Sequence, residues 1–176
     1  HNIWFAASSA PYGRELILLD YSNSTTLETI IVKDIFPGSE GALGNYYSSS
    51  GINGALLPDG RLVFMADDGI HGNEPWVSDG TEAGTFMLAD LYDHYSNPGQ
   101  FTTYKDTVVF EGFIYTTEMG GYLGHELAFT DGTTEGTYAL DVYPGSSSSN
   151  PNILGQAGEL LYFTATDADG LGIFST

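Results

Sequence analysis

One phrase occurs twice in this chain and restricts its fold more than any other feature. Gly72-Asn73-Glu74-Pro75-Trp76-Val77-Ser78-Asp79-Gly80-Thr81 lines up with Gly124-His125-Glu126-Leu127-Ala128-Phe129-Thr130-Asp131-Gly132-Thr133, giving the frame G-x-E-x-x-x-[ST]-D-G-T. Both copies run on to a second Gly-Thr, at Gly84-Thr85 and Gly136-Thr137, and an eroded copy spans Gly13 to Asp20 with the same Glu-to-Asp spacing. Upstream of each lies a matched apolar run: Ile3–Ala7, Leu62–Ala66 and Val108–Gly112, with a fourth at Leu161–Ala165. Downstream, Ser96-Asn97-Pro98 returns as Ser149-Asn150-Pro151. Glu74 and Glu126 are 52 residues apart, so the unit is about 50 residues, in the range of propeller blades. The division that follows is one β-repeat domain over 1–176, with units at roughly 1–44 (partial), 45–98, 99–151 and 152–176 (partial).

Within a unit the apolar runs are β-branched and aromatic, four to six residues long and bounded by Gly, Pro, Asn and Asp. The second unit reads as strands at 55–57, 61–66, 74–78 and 85–90, the third as strands at 101–104, 107–111, 126–130 and 137–142. No window carries a capped 3.6-residue period, so no helix is expected. The expected class is all-β: four-stranded antiparallel units, β-propeller-like, open or completed by another chain. Phe5, Phe64, Phe110 and Phe163 should occupy equivalent buried positions, because an aromatic-x-small strand packs its ring between neighbouring sheets.

The Asp-Gly-Thr element explains itself mechanically. An Asp carboxylate accepts backbone N–H groups two residues on, Gly supplies positive φ, and the Thr hydroxyl bonds back locally. Asp79-Gly80-Thr81 and Asp131-Gly132-Thr133 are therefore expected to be structural turns. Glu15, Glu74 and Glu126 recur five residues before their Asp and are expected to hydrogen-bond a neighbouring strand or unit. A catalytic carboxylate pair normally breaks repeat symmetry, and these follow it.

The residues of the repeat carry a likeness. The chain resembles the ELW-x-x-DGT repeat family of bacterial exported and surface proteins, whose units read GxELWxxDGTxxGTxLVKDIxPG before a Ser-rich stretch. The second unit supplies Glu74–Thr85, the first Val32-Lys33-Asp34-Ile35-Phe36-Pro37-Gly38, and the third Ser146–Pro151. The tryptophan survives only at Trp76, becoming Ile17, Ala128 and Phe174 elsewhere; Asp20-Tyr21-Ser22 has lost the DGT, and Gly172 replaces the Glu. The resemblance implies propeller-like repeats and an extracellular or cell-surface location, and it brings no shared catalytic residues.

Composition removes several function classes. With 23 Asp plus Glu against 4 Lys plus Arg, a formal charge of −19 argues against a nucleic-acid binder or an anionic-membrane binder. With no Cys, disulfides, zinc–thiolate sites and thiol nucleophiles are absent together. No stretch reaches the roughly 18 apolar residues of a membrane-spanning helix. The chain opens at His1 without a leader pattern, as expected for removal of a signal peptide or an excised piece.

Remaining candidates are few. Asp67-Asp68-Gly69 and Asp167-Ala168-Asp169-Gly170 occupy the same loop in two units. They read first as solvated turn acids, and calcium ligands (Asp67, Asp68, Asp167, Asp169) are the alternative. His1, His71, His94 and His125 lack metal-ligand spacing. Tyr46, Tyr47, Tyr92, Tyr95, Tyr115 and Tyr122 fall in the Gly/Ser/Asp-rich connections, where stiff amphipathic rings suit sugar stacking or protein contact. Asn23-Ser24-Thr25 is a glycosylation sequon and marks a surface loop.

These observations favour a non-enzymatic extracellular structural or adhesive module that self-associates or completes its sheets with another chain, as in a surface filament or matrix component. The alternative is a glycan-binding propeller, or less readily a glycan-cleaving one. The terminal strands, Ile3–Ala7 and Ile173–Thr176, are expected to pair outside the chain, with another copy or with the rest of a longer parent.

Overall fold

A computed structural model describes residues 2–20, 28–43, 51–116 and 121–176. Asn23, Tyr46 and Tyr47 lie outside the described residues. Among those described, every regular element is a strand, and the strands form four antiparallel sheets in chain order. The first holds β1 (Asn2–Ser9), β2 (Gly13–Asp20) and β3 (Glu28–Ile31). The second holds β4 (Gly54–Leu56), β5 (Leu62–Asp67), β6 (Asn73–Ser78) and β7 (Phe86–Met87). The third holds β8 (Gly99–Tyr104), β9 (Thr107–Thr116), β10 (Gly121–Thr130) and β11 (Tyr138–Leu140). The fourth holds β12 (Asn152–Ala157), β13 (Leu160–Asp167) and β14 (Gly170–Ser175).

Alternation along each strand gives every sheet a leading and a trailing face. Phe5, Phe64, Phe110 and Phe163 sit directly across from Ile17, Trp76, Ala128 and Phe174, and these eight define the leading faces. Leu16 and Leu18 on the trailing face of the first sheet pack against Phe64, Ala66 and Trp76 on the leading face of the second. Val63, Val77 and Leu88 then meet Val108 and Phe101 of the third sheet. Val109, Leu127 and Phe129 meet Leu161, Phe163 and Ala165 of the fourth. The first strands of successive sheets also touch, β4 against β8 and β8 against β12.

The four phenylalanines are not equally buried. Phe64 and Phe110 are 0% exposed and Phe163 2%, whereas Phe5 is only half-buried. Its face borders an open groove of about 360 Å³ lined by Phe5, Ala7, Ile17 and Ile31 among others, with no described sheet over it.

Two strand expectations also change. The runs at 85–90 and 137–142 pair only over Phe86–Met87 and Tyr138–Leu140, because the chain is drawn off the sheet where buried carboxylates take the amides of Leu91 and Val142. In the third sheet the central hairpin is longer than expected, with β9 and β10 pairing out to Thr116 and Gly121 through a bulge between Tyr122 and Gly124. Tyr115 and Tyr122 are therefore strand residues facing each other rather than loop residues.

Candidate functional site

The recurring glutamates are fully buried, Glu15, Glu74 and Glu126 each at 0% exposure. Glu74 accepts the amides of Leu91 (2.9 Å) and Ser96 (2.8 Å). Glu126 accepts those of Val142 (3.1 Å) and Ser149 (2.7 Å), with the Ser149 hydroxyl at 2.5 Å. Glu15 takes the amides of Ile35, Phe36 and Ala42. The same loop residues pass their carbonyls onward to the next sheet: Ala42 to the amide of Asp67, Ser96 to that of Phe113, and Ser149 to that of Thr166. Each Glu thus fixes the connection between two sheets, which leaves it enclosed and fully occupied. Burial pushes all three carboxyls up, Glu74 to about 7, against the opposing pull of the amide donors.

Ser-Asn-Pro is part of this joint. Ser96 Oγ donates to the Asn73 carbonyl, and Ser149 Oγ, which donates to Glu126, lies 3.4 Å from the His125 carbonyl, while Asn97 and Asn150 both turn the chain at φ 46°. Their amides bond the same two carbonyls, so Asn serves here because it tolerates left-handed backbone.

The two Asp-Gly-Thr turns are superposable in their bonding. Asp79 Oδ1 accepts the amide and hydroxyl of Thr81 at 2.8 and 2.7 Å; Asp131 Oδ1 accepts those of Thr133 at 2.9 and 2.6 Å. These bonds hold Asp79 below the usual carboxylate range. Thr81 and Thr133 in turn receive the amides of Gly84 and Gly136. A Cβ on Gly84 or Gly136 would lie 2.2 or 2.1 Å from the Asp carboxylate, which accounts for the second glycine of the repeat. Each turn leans on the preceding sheet: Gly80 faces Leu18, and Arg61 donates to the carbonyls of Asp131 and Gly132, both at 2.8 Å.

The aspartates considered for calcium sit at two separate hairpin ends, Asp67 closing β5 with Asp68 next to it and Asp167 closing β13 with Asp169 in the turn beyond. Asp67 accepts the Gly69 amide, Asp167 that of Asp169, and Asp68 the amides of Ile70 and His71. Asp68 also meets His71 Nδ1 at 2.7 Å. Among the described residues, no group of three or more His, Cys, Asp or Glu is placed to hold a metal ion.

What departs from the repeat is the long hairpin of the third sheet and the connection facing it. Tyr115 and Tyr122 from β9 and β10 come together with Tyr92, Asp93 and His94 from the connection after β7, lining a cavity of about 300 Å³. Tyr92 lies 6.1 Å from Tyr122 and 6.5 Å from Phe113, with the rings tilted by 57° and 43°. Phe113 stands edge-on to His125, whose Nε2 meets Glu111 Oε2 at 2.5 Å, so the base of the hairpin is pinned. Asp93 and His94 also line an adjoining cavity of about 300 Å³ that runs past Tyr95 to Ile70 and Phe36. The structure thus gathers three of the singled-out tyrosines into one cavity and sets Tyr95 in the next. Asp93 and Phe113 escaped sequence reasoning, and His94 was considered only as a metal ligand. The signal was present: Phe110 precedes Glu126 by 16 positions, where Phe64 precedes Glu74, and Phe5 precedes Glu15, by 10.

Compared with family models, curated proteins and solved structures, the chain gives no match in any of the three.

Proposed function

We propose that this protein is a non-enzymatic extracellular or cell-surface module, structural or adhesive, that associates with further copies of itself by stacking sheet upon sheet in a propeller-like array. One observation carries the reading. On the trailing face of the fourth sheet Ile173 is 72% exposed and Leu171 77%, whereas Leu16 and Leu127, at the position of Ile173 in the first and third sheets, are 0% exposed. The complementary leading face of the first sheet has no described sheet over it: Phe5 and Ala7 are half-buried and line a groove with Ile31, while Ile17 is already buried, at 5% exposure. In all three internal interfaces a trailing face covers a leading face. A second copy presents the same pair, so a head-to-tail contact extends a packing mode the chain already uses. Among the described residues β1 and β14 are also edge strands, whereas β5, β9, β6 and β10 at the corresponding places are paired on both sides. A free edge of this kind accepts a strand from a neighbour.

The recurring acids support a non-enzymatic reading, since each has a defined joint or turn to hold. Calcium belongs to the proposal as a modulator at the Asp67–Asp68 and Asp167–Asp169 loops, to be read from melting with and without the ion.

Sedimentation of the chain over a concentration series tests the proposal. Mass rising with concentration, and falling to that of the monomer in Leu171→Asp/Ile173→Asp, is the expected result. A wild-type monomer at every concentration, or turnover of a glycan abolished by changing one carboxylate, overturns it.

A further inference from the structure

We infer that the trough formed by Tyr92, Asp93, His94, Tyr115 and Tyr122 is a binding site for a neutral glycan, taking at least two linked pyranose units. This stands independently of whether copies associate, since the trough lies between the second and third sheets and not on an open terminal face.

The first argument is asymmetry. The recurring frame is consumed by turns and joints, whereas the six extra positions between Phe110 and Glu126 have no counterpart in the other units. They lengthen β9 and β10, bury Ile114 and Leu123 against Leu91 and Phe110, and leave Phe113, Tyr115 and Tyr122 38%, 37% and 37% exposed, with Tyr95 of the facing connection 56% exposed. Large rings left half in water on a pinned hairpin cost hydrophobic stabilisation that burial would have provided. A ligand that covers them recovers it.

The second argument is the chemistry of the lining. Tilts of 57° and 43° leave ring faces that are not spent on stacking against each other. An aromatic face carries negative quadrupolar density and attracts the weakly positive C–H face of a pyranose ring. Around those faces stand phenol hydroxyls, the Asp93 carboxylate and the His94 imidazole, donors and acceptors suited to sugar hydroxyls. A few placed polar groups on an aromatic lining describe small-ligand sites in general, and about 300 Å³ lies at the small end of their range.

Charge and shape select among ligands. No Lys or Arg lines either cavity, Asp93 is exposed, and the chain carries −19, so uronates and sulfated sugars meet repulsion. Tyrosines with a carboxylate also describe a cage for a quaternary ammonium. Such a cage closes round a single head group, whereas here a second cavity of similar size adjoins the first at Asp93 and His94. Two adjoining compartments fit a chain of rings.

The experiment uses the full chain on an array of neutral, amino, uronic and sulfated glycans, followed by calorimetry with the neutral oligosaccharide that binds. Tyr92→Ala and Tyr122→Ala are each expected to weaken binding about tenfold, with Tyr122→Phe retaining most of it and Tyr12→Ala, which lines neither cavity, unchanged. Titration of the wild-type protein should move the His94 ring resonances, a readout that does not depend on any variant folding. Binding of no neutral glycan, preference for uronic or sulfated ones, competition by tetramethylammonium, or wild-type affinity in both tyrosine-to-alanine variants would each overturn the assignment.

Discussion

At Glu74 burial and hydrogen bonding pull a carboxyl group in opposite directions. Full burial favours the neutral acid, while the Leu91 and Ser96 amides favour the anion, and burial prevails with the group pushed up to about 7. A carboxyl with a raised folded pKa holds its proton more tightly folded than unfolded. Its contribution is therefore complete below the ordinary value of 4.5 and is lost as pH rises through about 7. Glu15 and Glu126 shift the same way. The melting temperature is expected to fall between pH 5 and pH 8, and Glu74→Gln should lie lower throughout with a shallower slope. A wild-type melt that rises over this interval would show that the amide donors prevail. Removing the acceptor entirely is harsher: Glu126→Ala strands two amides and a buried hydroxyl, a loss of about 3 kcal/mol by chemical denaturation. The spacing of these residues made them visible in the sequence, but not their partners, which lie 16 to 27 positions away along connections with no regular pattern.

Turns and hairpins are the elements through which one sheet engages the next. Gly136→Ala sets a methyl group against the Asp131 carboxylate, which is itself anchored by Thr133, so the turn must open. A loss of about 2 kcal/mol is expected from denaturant melts, the range for overpacking a filled site. Arg61 ties that turn to the second sheet through two carbonyls and to Asp59 through its Nε. It is partly exposed, so Arg61→Ala should cost only about 1 kcal/mol, and a lysine, lacking the fork, should not restore it. The Asp-Gly-Thr turns were legible from local chemistry alone. The long hairpin was hidden because its extension alternates poorly and contains a bulge, so its residues resembled a Gly-rich connection.

Over the whole molecule, apolar faces at the two ends are set against a strongly negative surface. Lys33 reaches the Thr85 carbonyl at 2.8 Å and lies over Trp76, Arg61 bridges the second and third sheets, and Lys105 approaches Glu159 of the fourth at 4.0 Å. Three of the 4 cationic Lys and Arg side chains thus join neighbouring sheets, and two of them, Arg61 and Lys105, also meet exposed acids, Asp59 and Glu159. Association of copies must overcome repulsion between two chains of −19 each. Raising the ionic strength screens that repulsion while leaving the apolar contact intact, so sedimentation should show tighter association at high salt than at low salt. Weaker association at high salt would point to an ionic contact in place of the stacked faces.

The sequence by itself determined the strand class, the pairing of neighbouring strands and the identity of the turns, because each is set by residues within one hairpin of one another. Asp131 closing on Thr133 follows from turn chemistry, and Phe110 and Ala128 lie in runs expected to be neighbouring strands, though the bulged hairpin between them hides their register. Only the tertiary structure decided which faces are covered, what the buried glutamates hold, and that Tyr92 meets Tyr122 across two units. Those outcomes depend on how sheets lie against one another, and a strand's periodicity states that it has two faces without stating what either will meet.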